Sequence, residues 1–295
     1  MRIVFVGTVE LSLHMVKVMI EEEMQIVGVL TADDKGGNSD YADLGPISSH
    51  NKIPVMRTKD INSQKVINWI QELSPDVIFC IGWSRLINKK ILQIPSIGVV
   101  GYHPAALPRN RGRHPLIWAL VLGLKRTAST FFFMDEGADS GDIIDQRQIT
   151  ITEDDDAGSL YVKIIKVAQE QMQNILSSLI DGNYQRFSQN NSESNVWRKR
   201  DNKDGQIDWR MSAKSIHNLV RGLTRPYVGA HFVTEGKEYK VWKSRIVSCA
   251  NTDNIEPGKV IVVNRDRIPC IMCGDDCIEL LEVDPVLLTS KGSYL

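Results

Sequence analysis

The sequence lacks a long apolar run and an excess of charge of either sign. None of its 295 residues fall in a segment that approaches the roughly 20 apolar residues of a transmembrane helix, so we expect no membrane partner. Lysine and arginine number 35 and aspartate and glutamate 36. The chain therefore has no global field for a polyanion, and a large nucleic-acid partner is not favoured.

Cysteine is scarce and unevenly distributed. Of five cysteines, Cys249, Cys270, Cys273 and Cys277 lie in the last fifth of the chain, where the spacing Cys270-x-x-Cys273-x-x-x-Cys277 is reminiscent of a zinc site. This segment alternates like a β-hairpin and no second Cys or His pair has ligand spacing. We therefore expect no metal and interpret these residues as free thiols that pack as small hydrophobes. The first residues read as a strand without a signal-peptide cleavage site, which predicts a cytoplasmic protein.

Glycine is missing where a dinucleotide site would need it. The opening Gly7-Thr8-Val9-Glu10-Leu11-Ser12 has a single glycine, whereas the dinucleotide fingerprint needs three, so a hydride-transferring NAD enzyme is disfavoured. This turn is either an ordinary strand-to-helix turn or a phosphate site in which Ser12 adds a hydroxyl. No Gly-x-Ser-x-Gly elbow and no cysteine next to His103 is present, which disfavours a covalent acyl-enzyme.

Alternation of strands and helices is the main pattern that is present. Apolar runs typical of buried strands alternate with segments of helical periodicity. This pattern predicts an α/β fold, an open and mostly parallel Rossmann-like sheet covered by helices on both faces. The predicted strands are residues 2–7, 26–30, 53–55, 76–81, 127–134 and 143–151, and the predicted helices are residues 11–23, 63–73 and 157–179.

The pattern changes after a polar run at residues 188–195, which we interpret as a linker or exposed loop. Residues 212–223 read as one helix with Ser212 as N-cap, and only short alternating runs follow. We therefore predict a catalytic domain at residues 1–195 and a smaller β-rich, barrel-like domain at residues 196–295.

A histidine and an aspartate mark the candidate site. His103 follows an apolar run and precedes Pro104, so we expect it on a loop at the carboxyl end of a strand, where open α/β sheets bind ligands. Asp139 begins an Asp-Ser-Gly-Asp turn. An imidazole can take or give a proton near neutral pH, and a nearby carboxylate orients it. This pair suits acyl transfer to an amine.

Several motifs together resemble one family. The His103 loop with Leu107-Pro108 and Arg111-Gly112, the turn at residues 139–142 and Ile207-Asp208-Trp209 are similar to formyltransferases that use 10-formyltetrahydrofolate, and the similarity covers nearly the whole chain. The resemblance implies a folate-dependent N-formyltransferase with His103 and Asp139 as catalytic residues and no metal. The substrate amine would attack the formyl carbon directly. His103 would stabilise the oxyanion or relay a proton, and Asp139 would keep His103 charged and help move the proton to the folate nitrogen.

The resemblance also implies a folate site and exposes one departure. The pterin would lie beside Trp83, Ser84, Arg85 and Leu86 and against the backbone from Gly137 to Asp139. The family pattern is Asn-x-His, but Gly101 occupies the asparagine position, and removing one oxyanion donor can cost about 100-fold in rate. Either another group, such as Asn110 or His114, supplies the donor, or the chain is a catalytically weak descendant.

The acceptor of the formyl group is predicted from charge and resemblance. Residues 200–295 are close to neutral, which argues against initiator tRNA. Residues 109–118 and 223–230 look like those of amino-sugar formyltransferases, which implies a nucleotide-linked 4-amino-4,6-dideoxy sugar. Methionyl-tRNA, another amine and a binding-only role are the alternatives. The sugar stereochemistry, the base and the oligomeric state stay open, with a homodimer among the alternatives. Candidate substrate contacts are Ser12, Tyr41, Asp43, Tyr227 and three arginines, Arg109, Arg111 and Arg113, which either bind a diphosphate or form a solvated loop.

Overall fold

The computed structural model describes residues 1–32, 38–249 and 254–295, which form two compact units. The first unit consists of Met1–Pro115, Thr127–Ile149 and Val162–Trp197, and the second of Leu116–Arg126, Thr150–Tyr161 and Arg198–Leu295. Each unit combines several segments of the chain, whereas the predicted domains 1–195 and 196–295 are contiguous. That contiguous division stays a prediction.

Strands and helices alternate through the first two thirds of the chain, and strands dominate the last third. The strands are β1 (Arg2–Val6), β2 (Gln25–Ala32), β3 (Val55–Thr58), β4 (Val77–Cys80), β5 (Gly98–His103), β6 (Arg111–Gly112), β7 (Arg126–Phe133), β8 (Ile143–Thr150), β9 (Val196–Trp197), β10 (Ala230–Thr234), β11 (Lys237–Val247), β12 (Val260–Val263), β13 (Pro269–Met272) and β14 (Cys277–Asp284). The helices are α1 (Glu10–Glu21), α2 (Gly45–His50), α3 (Gln64–Leu73), α4 (Lys89–Leu92), α5 (Pro115–Val121), α6 (Ala157–Ile180) and α7 (Ala213–Leu223).

The large sheet has the strand order β3-β2-β1-β4-β5-β7-β8. Strands β1 to β5 pair in parallel, and β7 pairs with β5 in antiparallel orientation. Strands β1 and β4 are continuous apolar runs because both faces of a parallel sheet are covered. The predicted mostly parallel, Rossmann-like sheet is confirmed. Its strand order reverses between β1 and β4, and ligands of such sheets bind outside the carboxyl ends of the strands at this point.

The second unit contains an antiparallel sheet of order β10-β11-β14-β13-β12. Helix α7 covers one face, and its Ile216 and Leu219 pack with Phe232, Ile271 and Ile278 in one core. The Ser212 side chain accepts a hydrogen bond from the Ser215 N–H, as predicted for an N-cap. The predicted β-rich second domain is confirmed as an antiparallel sheet domain.

The cysteines differ from the prediction. Cys249 and Cys277 form a disulfide, while Cys80, Cys270 and Cys273 are free. The prediction of free thiols was wrong for the bonded pair, because local spacing does not reveal that Cys249, which follows β11, lies beside the start of β14. Among the helices of the described residues, none combines the length and the apolar character that crossing a membrane requires.

Candidate active site

His103 is the last residue of β5. It pairs with Thr130 of β7. The prediction that His103 lies on a loop after the strand was therefore wrong, because the strand includes it. Its side chain is buried, and Nε2 lies 2.7 Å from the Asn110 carbonyl oxygen. A carbonyl oxygen only accepts hydrogen bonds, so Nε2 carries a proton. In the neutral ring the lone pair is therefore on Nδ1.

The Asp139 carboxylate faces this second nitrogen. Asp139 Oδ2 lies 3.7 Å from His103 Nδ1, beyond direct hydrogen-bond distance, and accepts a 2.9 Å hydrogen bond from the Gly112 N–H. Asp139 Oδ2 would attract the Nδ1 proton of an imidazolium, and both atoms could accept a hydrogen bond from a bound amine while Nδ1 is unprotonated. The turn needs its glycine, because a Cβ on Gly141 would lie 1.8 Å from the Phe133 carbonyl oxygen. The two predicted catalytic residues are thus brought together.

Gln189, which sequence reasoning missed, connects the two loops of the site. Its Nε2 donates to the carbonyl oxygens of Asp139 and Gly141 at 2.9 and 2.7 Å. Its Oε1 accepts from Nε and Nη2 of Arg111 at 3.2 and 2.7 Å. Both donors and both acceptor positions of the amide are occupied. Gln189 thereby links the backbone of Asp139 to Arg111. The Asp139 backbone is left-handed, with φ 55°.

Asn195 holds the other partner of His103. Its Oδ1 accepts a 2.9 Å hydrogen bond from the Asn110 N–H, and the Asn110 carbonyl is the group that His103 Nε2 contacts. Strand β9 follows directly and pairs with β6. The polar run 188–195, predicted to be a linker or exposed loop, is mostly exposed and also cross-links the site through Gln189 and Asn195. The sequence alone predicts that these polar side chains are solvated, because their hydrogen-bond partners lie far away along the chain.

Arg111 has a structural role. It is buried, and besides Gln189 its guanidinium donates to Asn191 Oδ1 at 2.9 Å. A buried charge with amide partners on two sides stabilises the loop and is not exposed to a diphosphate. We therefore do not retain Arg111 as a substrate contact.

The other two arginines have separate partners. Arg109 is exposed and its Nη2 lies 3.9 Å from Glu193 Oε2. Arg113 Nη1 donates a 2.6 Å hydrogen bond to the Ser84 carbonyl oxygen. The three arginines thus do not converge on one point, although Arg113 contacts the loop that was predicted to hold folate.

Ser12 is fully buried at the turn after β1. Its Oγ accepts hydrogen bonds from the N–H groups of Thr8 and Val9, both at 3.2 Å, and donates to the Ile81 carbonyl at 2.6 Å. A hydroxyl has one donor and two acceptor positions, and all are used. We do not retain Ser12 as a phosphate contact. It fixes the end of β1 to the end of β4.

Of the residues predicted to bind folate, Gly137 lines an open cleft. Trp83 packs against the core of the first unit, and its buried indole N–H has no hydrogen-bond partner among the described residues. A cleft of about 460 Å³ is lined by Leu92, Met134 and Gly137, among others, and Leu92 and Met134 pack against the same core as Trp83. The three residues after Trp83, which are Ser84, Arg85 and Leu86, are exposed.

The two tyrosines belong to different units. Tyr41 forms a β-bridge with Val9, beside the turn that contains Ser12. Asp43 follows closely and accepts hydrogen bonds from Arg57. Tyr227 is partly buried against the core of the second unit.

Gly101 lies where the family pattern has asparagine. A Cβ at this position would lie 2.8 Å from Met134 Cγ and 3.0 Å from Phe132 Cζ. The space for a longer side chain is therefore filled by its neighbours. The Asn110 side chain, an alternative donor by sequence proximity, is not the group that meets His103, because the contact is made by the Asn110 main chain.

An imidazole at the end of β5 and a carboxylate 3.7 Å from it in an α/β fold can perform acid-base chemistry. Comparison with known proteins identifies the family. The Formyl transferase model matches residues 1–176, and the Formyl transferase, C-terminal domain model matches residues 199–286. A methionyl-tRNA formyltransferase of Clostridioides difficile (strain 630) is 32% identical over 272 residues, which are 91% of this chain and 87% of that protein. The chain belongs to the formyltransferase family.

Solved structures agree on the fold. WlaRD, a sugar 3N-formyltransferase crystallised with dTDP and 5-N-formyl-THF, superposes with a TM-score of 0.73 at 18% identity, covering 97% of this chain and 99% of that chain. The N-formyltransferase of Helicobacter canadensis, in complex with folinic acid and dTDP-3-aminofucose, gives a TM-score of 0.70 at 19% identity, covering 94% and 98%. The predicted family, fold class and enzyme class are confirmed, whereas the sequence relative and the structural neighbours act on different acceptors.

Proposed function

We propose that this chain transfers the formyl group of 10-formyltetrahydrofolate to the amine of a nucleotide-linked amino sugar. The observation that carries the proposal is the pair His103 Nδ1 and Asp139 Oδ2, which face each other at 3.7 Å in a chain of the formyltransferase family. Such a pair can accept and pass on the proton that an attacking amine must lose.

We place the folate at the cleft beside Gly137. Trp83 has a buried N–H without a partner in the described part of the chain, and an unsatisfied donor of this kind is costly unless a ligand accepts from it. Leu92 and Met134 supply an apolar wall. The pterin would be held by Trp83, by the exposed residues Ser84, Arg85 and Leu86, and by the backbone from Gly137 to Asp139. Bound formyltetrahydrofolate supplies the formyl group.

The protein contributes orientation and proton handling. Because Nε2 of His103 is engaged by the Asn110 carbonyl, Nδ1 is the ring atom available to the reacting groups. Asp139 is held on two sides, by the Gly112 N–H at its carboxylate and by Gln189 at its carbonyl. A fixed geometry of this kind lowers the barrier through positioning and electrostatics, and no metal is required.

Charge supports a small acceptor. Four exposed arginines of the second unit each lie against a carboxylate, in the pairs Arg198 with Asp204, Arg210 with Asp208, Arg225 with Glu282 and Arg245 with Glu279. Arginines that are neutralised within the unit form a poor electrostatic site for tRNA phosphates. The two sugar formyltransferase structures support a sugar acceptor, for which we retain the 4-amino-4,6-dideoxy class. Arg109, Arg113, Tyr41 and Tyr227 remain candidate contacts.

Two other functions have specific support. The relative from Clostridioides difficile, named a methionyl-tRNA formyltransferase, aligns with 91% of the chain, which favours a tRNA acceptor. Gly101 in place of the expected asparagine favours a binding protein with weak catalysis. The cytoplasmic location and the possible homodimer stay predictions from the sequence.

One experiment separates the three functions. The protein and 10-formyltetrahydrofolate are incubated with a panel of UDP-, GDP- and dTDP-linked amino sugars and, in parallel, with methionylated initiator tRNA. Each acceptor is examined by mass spectrometry for the gain of one formyl group. We expect a gain on a single sugar that is lost in His103→Ala. A gain on tRNA alone, with an affinity that falls steeply with salt, would refute the sugar proposal, and folate binding without any gain would favour the binding protein.

A further inference from the structure

Three cysteines of the second unit form a cluster of sulfur atoms. The Sγ atoms of Cys249, Cys270 and Cys277 all lie within 4.8 Å of one another, and the Cys249 and Cys270 sulfurs are 3.7 Å apart. We call these three residues the sulfur cluster. It combines the segment after β11 with β13 and β14, and β14 lies between β11 and β13 in the sheet.

Strand register explains why the cluster differs from the Cys-x-x-Cys spacing of the sequence. Met272 pairs with Cys277 across β13 and β14. Residues two apart on a strand share a face, so Cys270, Met272 and Cys277 lie on one face of the sheet. Cys273 is three residues from Cys270 and packs in the core on the other face. The pair that looks like a zinc motif is therefore split, and the sulfur cluster becomes visible only after the strands are paired.

The surroundings of the cluster favour a soft ligand. Cys270 and Cys277 are buried with Met272, whose Sδ lies 3.9 Å from Cys277 Sγ, and Ile255 and Ile261 pack against them. No histidine or carboxylate joins the three cysteines in this group among the residues that the structure describes. Thiolate and thioether sulfurs without oxygen or nitrogen ligands select soft metal ions.

Asp276, a carboxylate beside the cluster, is already engaged. Asp276 Oδ1 accepts hydrogen bonds from the N–H groups of Cys249 and Cys277 at 3.1 and 2.9 Å, and its Oδ2 accepts from the Ser248 hydroxyl at 3.2 Å. Asp276 thus fixes the backbone of two of the cysteines. It orients ligands and does not act as one.

We propose that the reduced sulfur cluster binds one soft d10 cation, of the class of Zn²⁺ or Cu⁺, through the three thiolates. A metal-sulfur distance of about 2.3 Å sets the sulfurs of a trigonal site roughly 4 Å apart, close to the 3.7 Å between Cys249 and Cys270. The Cys249–Cys277 disulfide excludes the metal. Opening it takes two electrons and two protons from a thiol reductant, and metal binding then displaces one proton from each of the three thiols.

The proposed site is independent of formyl transfer. The sulfur cluster belongs to the second unit, whereas His103 and Asp139 belong to the first.

The test uses the full chain. The protein is reduced, freed of reductant under anaerobic conditions and titrated with Cd²⁺ alone, while the thiolate-to-metal charge-transfer absorption is recorded. Zn²⁺ and Cu⁺ are then added separately to displace Cd²⁺. We expect saturation at one equivalent. Cys270→Ser should lower the affinity by more than about 100-fold, because even substitutions outside the ligand shell cost about 10- to 100-fold.

Cys273→Ser is the matched control, since Cys273 is also buried but lies on the other face of the sheet. It should leave the affinity unchanged. A second measurement on the unaltered protein avoids any folding defect: bound metal should protect the half-buried Cys249 from alkylation. The proposal is overturned if the absorption does not saturate at one equivalent of Cd²⁺ or if Cys270→Ser and Cys273→Ser have the same Cd²⁺ affinity. It is also overturned if the alkylation rate of Cys249 is the same with and without metal.

Discussion

Replacing Gln189 by leucine tests whether the polar run fixes the active site. The change removes two hydrogen bonds to the carbonyls of Asp139 and Gly141 and two from the Arg111 guanidinium. A neutral hydrogen bond contributes about 1 kcal/mol and one to a charged group about 1.5–3 kcal/mol. Because Gln189 is only partly buried and Arg111 keeps Asn191, we expect a loss of about 2–4 kcal/mol in the free energy of unfolding.

The effect on activity should exceed the effect on folate binding. Asp139 loses the contact that holds its left-handed backbone, and a displacement of about 1 Å can cost on the order of 100-fold in rate. We expect kcat to fall about 10- to 100-fold while the folate Kd changes little. The assay is steady-state formyl transfer to the acceptor that the panel identifies, together with calorimetric folate binding and urea unfolding.

Gln189→Glu separates the two halves of the contact. The carboxylate keeps the bonds from Arg111 but turns an oxygen toward the Asp139 and Gly141 carbonyls, so stability should be partly restored and kcat should not. Ser192→Ala is the control, because Ser192 is exposed and its side chain hydrogen-bonds to Asn190 among the described residues. Turnover of Gln189→Leu close to that of the unaltered protein, with Asp139→Asn inactive, would refute the positioning role and leave the proposed function intact.

Three further predictions concern catalysis and stability. Asp139→Asn should lower turnover far more than folate binding, and an equal loss of both would contradict its assigned role. From the sequence alone Gly101→Asn is expected to be tolerated or activating if the missing donor is the only deficit. In the structure its Cβ would meet Met134, so urea unfolding should report a loss of about 1–3 kcal/mol that Met134→Ala relieves; unchanged stability of the single variant would contradict this. Burial lowers the pKa of His217 from its ordinary 6.5, so as pH falls through that value the unfolded chain binds a proton that the folded chain does not, and stability falls. In urea unfolding between about pH 7.5 and 5.5, His217→Asn should reduce this loss and the exposed His50→Asn should not, and a loss that is the same in both variants would argue against the assignment.

Local periodicity made most of the fold predictable. The helix predicted at residues 63–73 is α3 (Gln64–Leu73), and those predicted at 157–179 and 212–223 are α6 (Ala157–Ile180) and α7 (Ala213–Leu223). These helices have apolar residues at helical spacing, a signal that needs no tertiary information. The end of β5 was missed, because the pairing that extends it to His103 comes from β7, which lies more than 20 residues further along the chain.

The site was predictable only where a short motif carries it. His103 and Asp139 lie in short motifs rich in proline and glycine, respectively, and both were identified. Arginines at every second position from 109 to 113 gave no sign that Arg111 is buried. Its partners Gln189 and Asn191 are about 80 residues away. Long-range hydrogen bonds thus decide which polar residues are free for a ligand, and no local pattern reports them.

The missing asparagine has a consequence for how the site must work. Two nearby main-chain donors are already committed, because the Gly112 N–H bonds to Asp139 and the Asn110 N–H bonds to Asn195. Met134 and Phe132 fill the space around Gly101, which leaves no room there for a longer side chain. His103 Nδ1 can then donate to a developing negative charge only when it is protonated. We therefore expect catalysis to depend more strongly on the charge of His103 than in relatives that have the asparagine, so that His103→Gln, a neutral donor, should be nearly as inactive as His103→Ala.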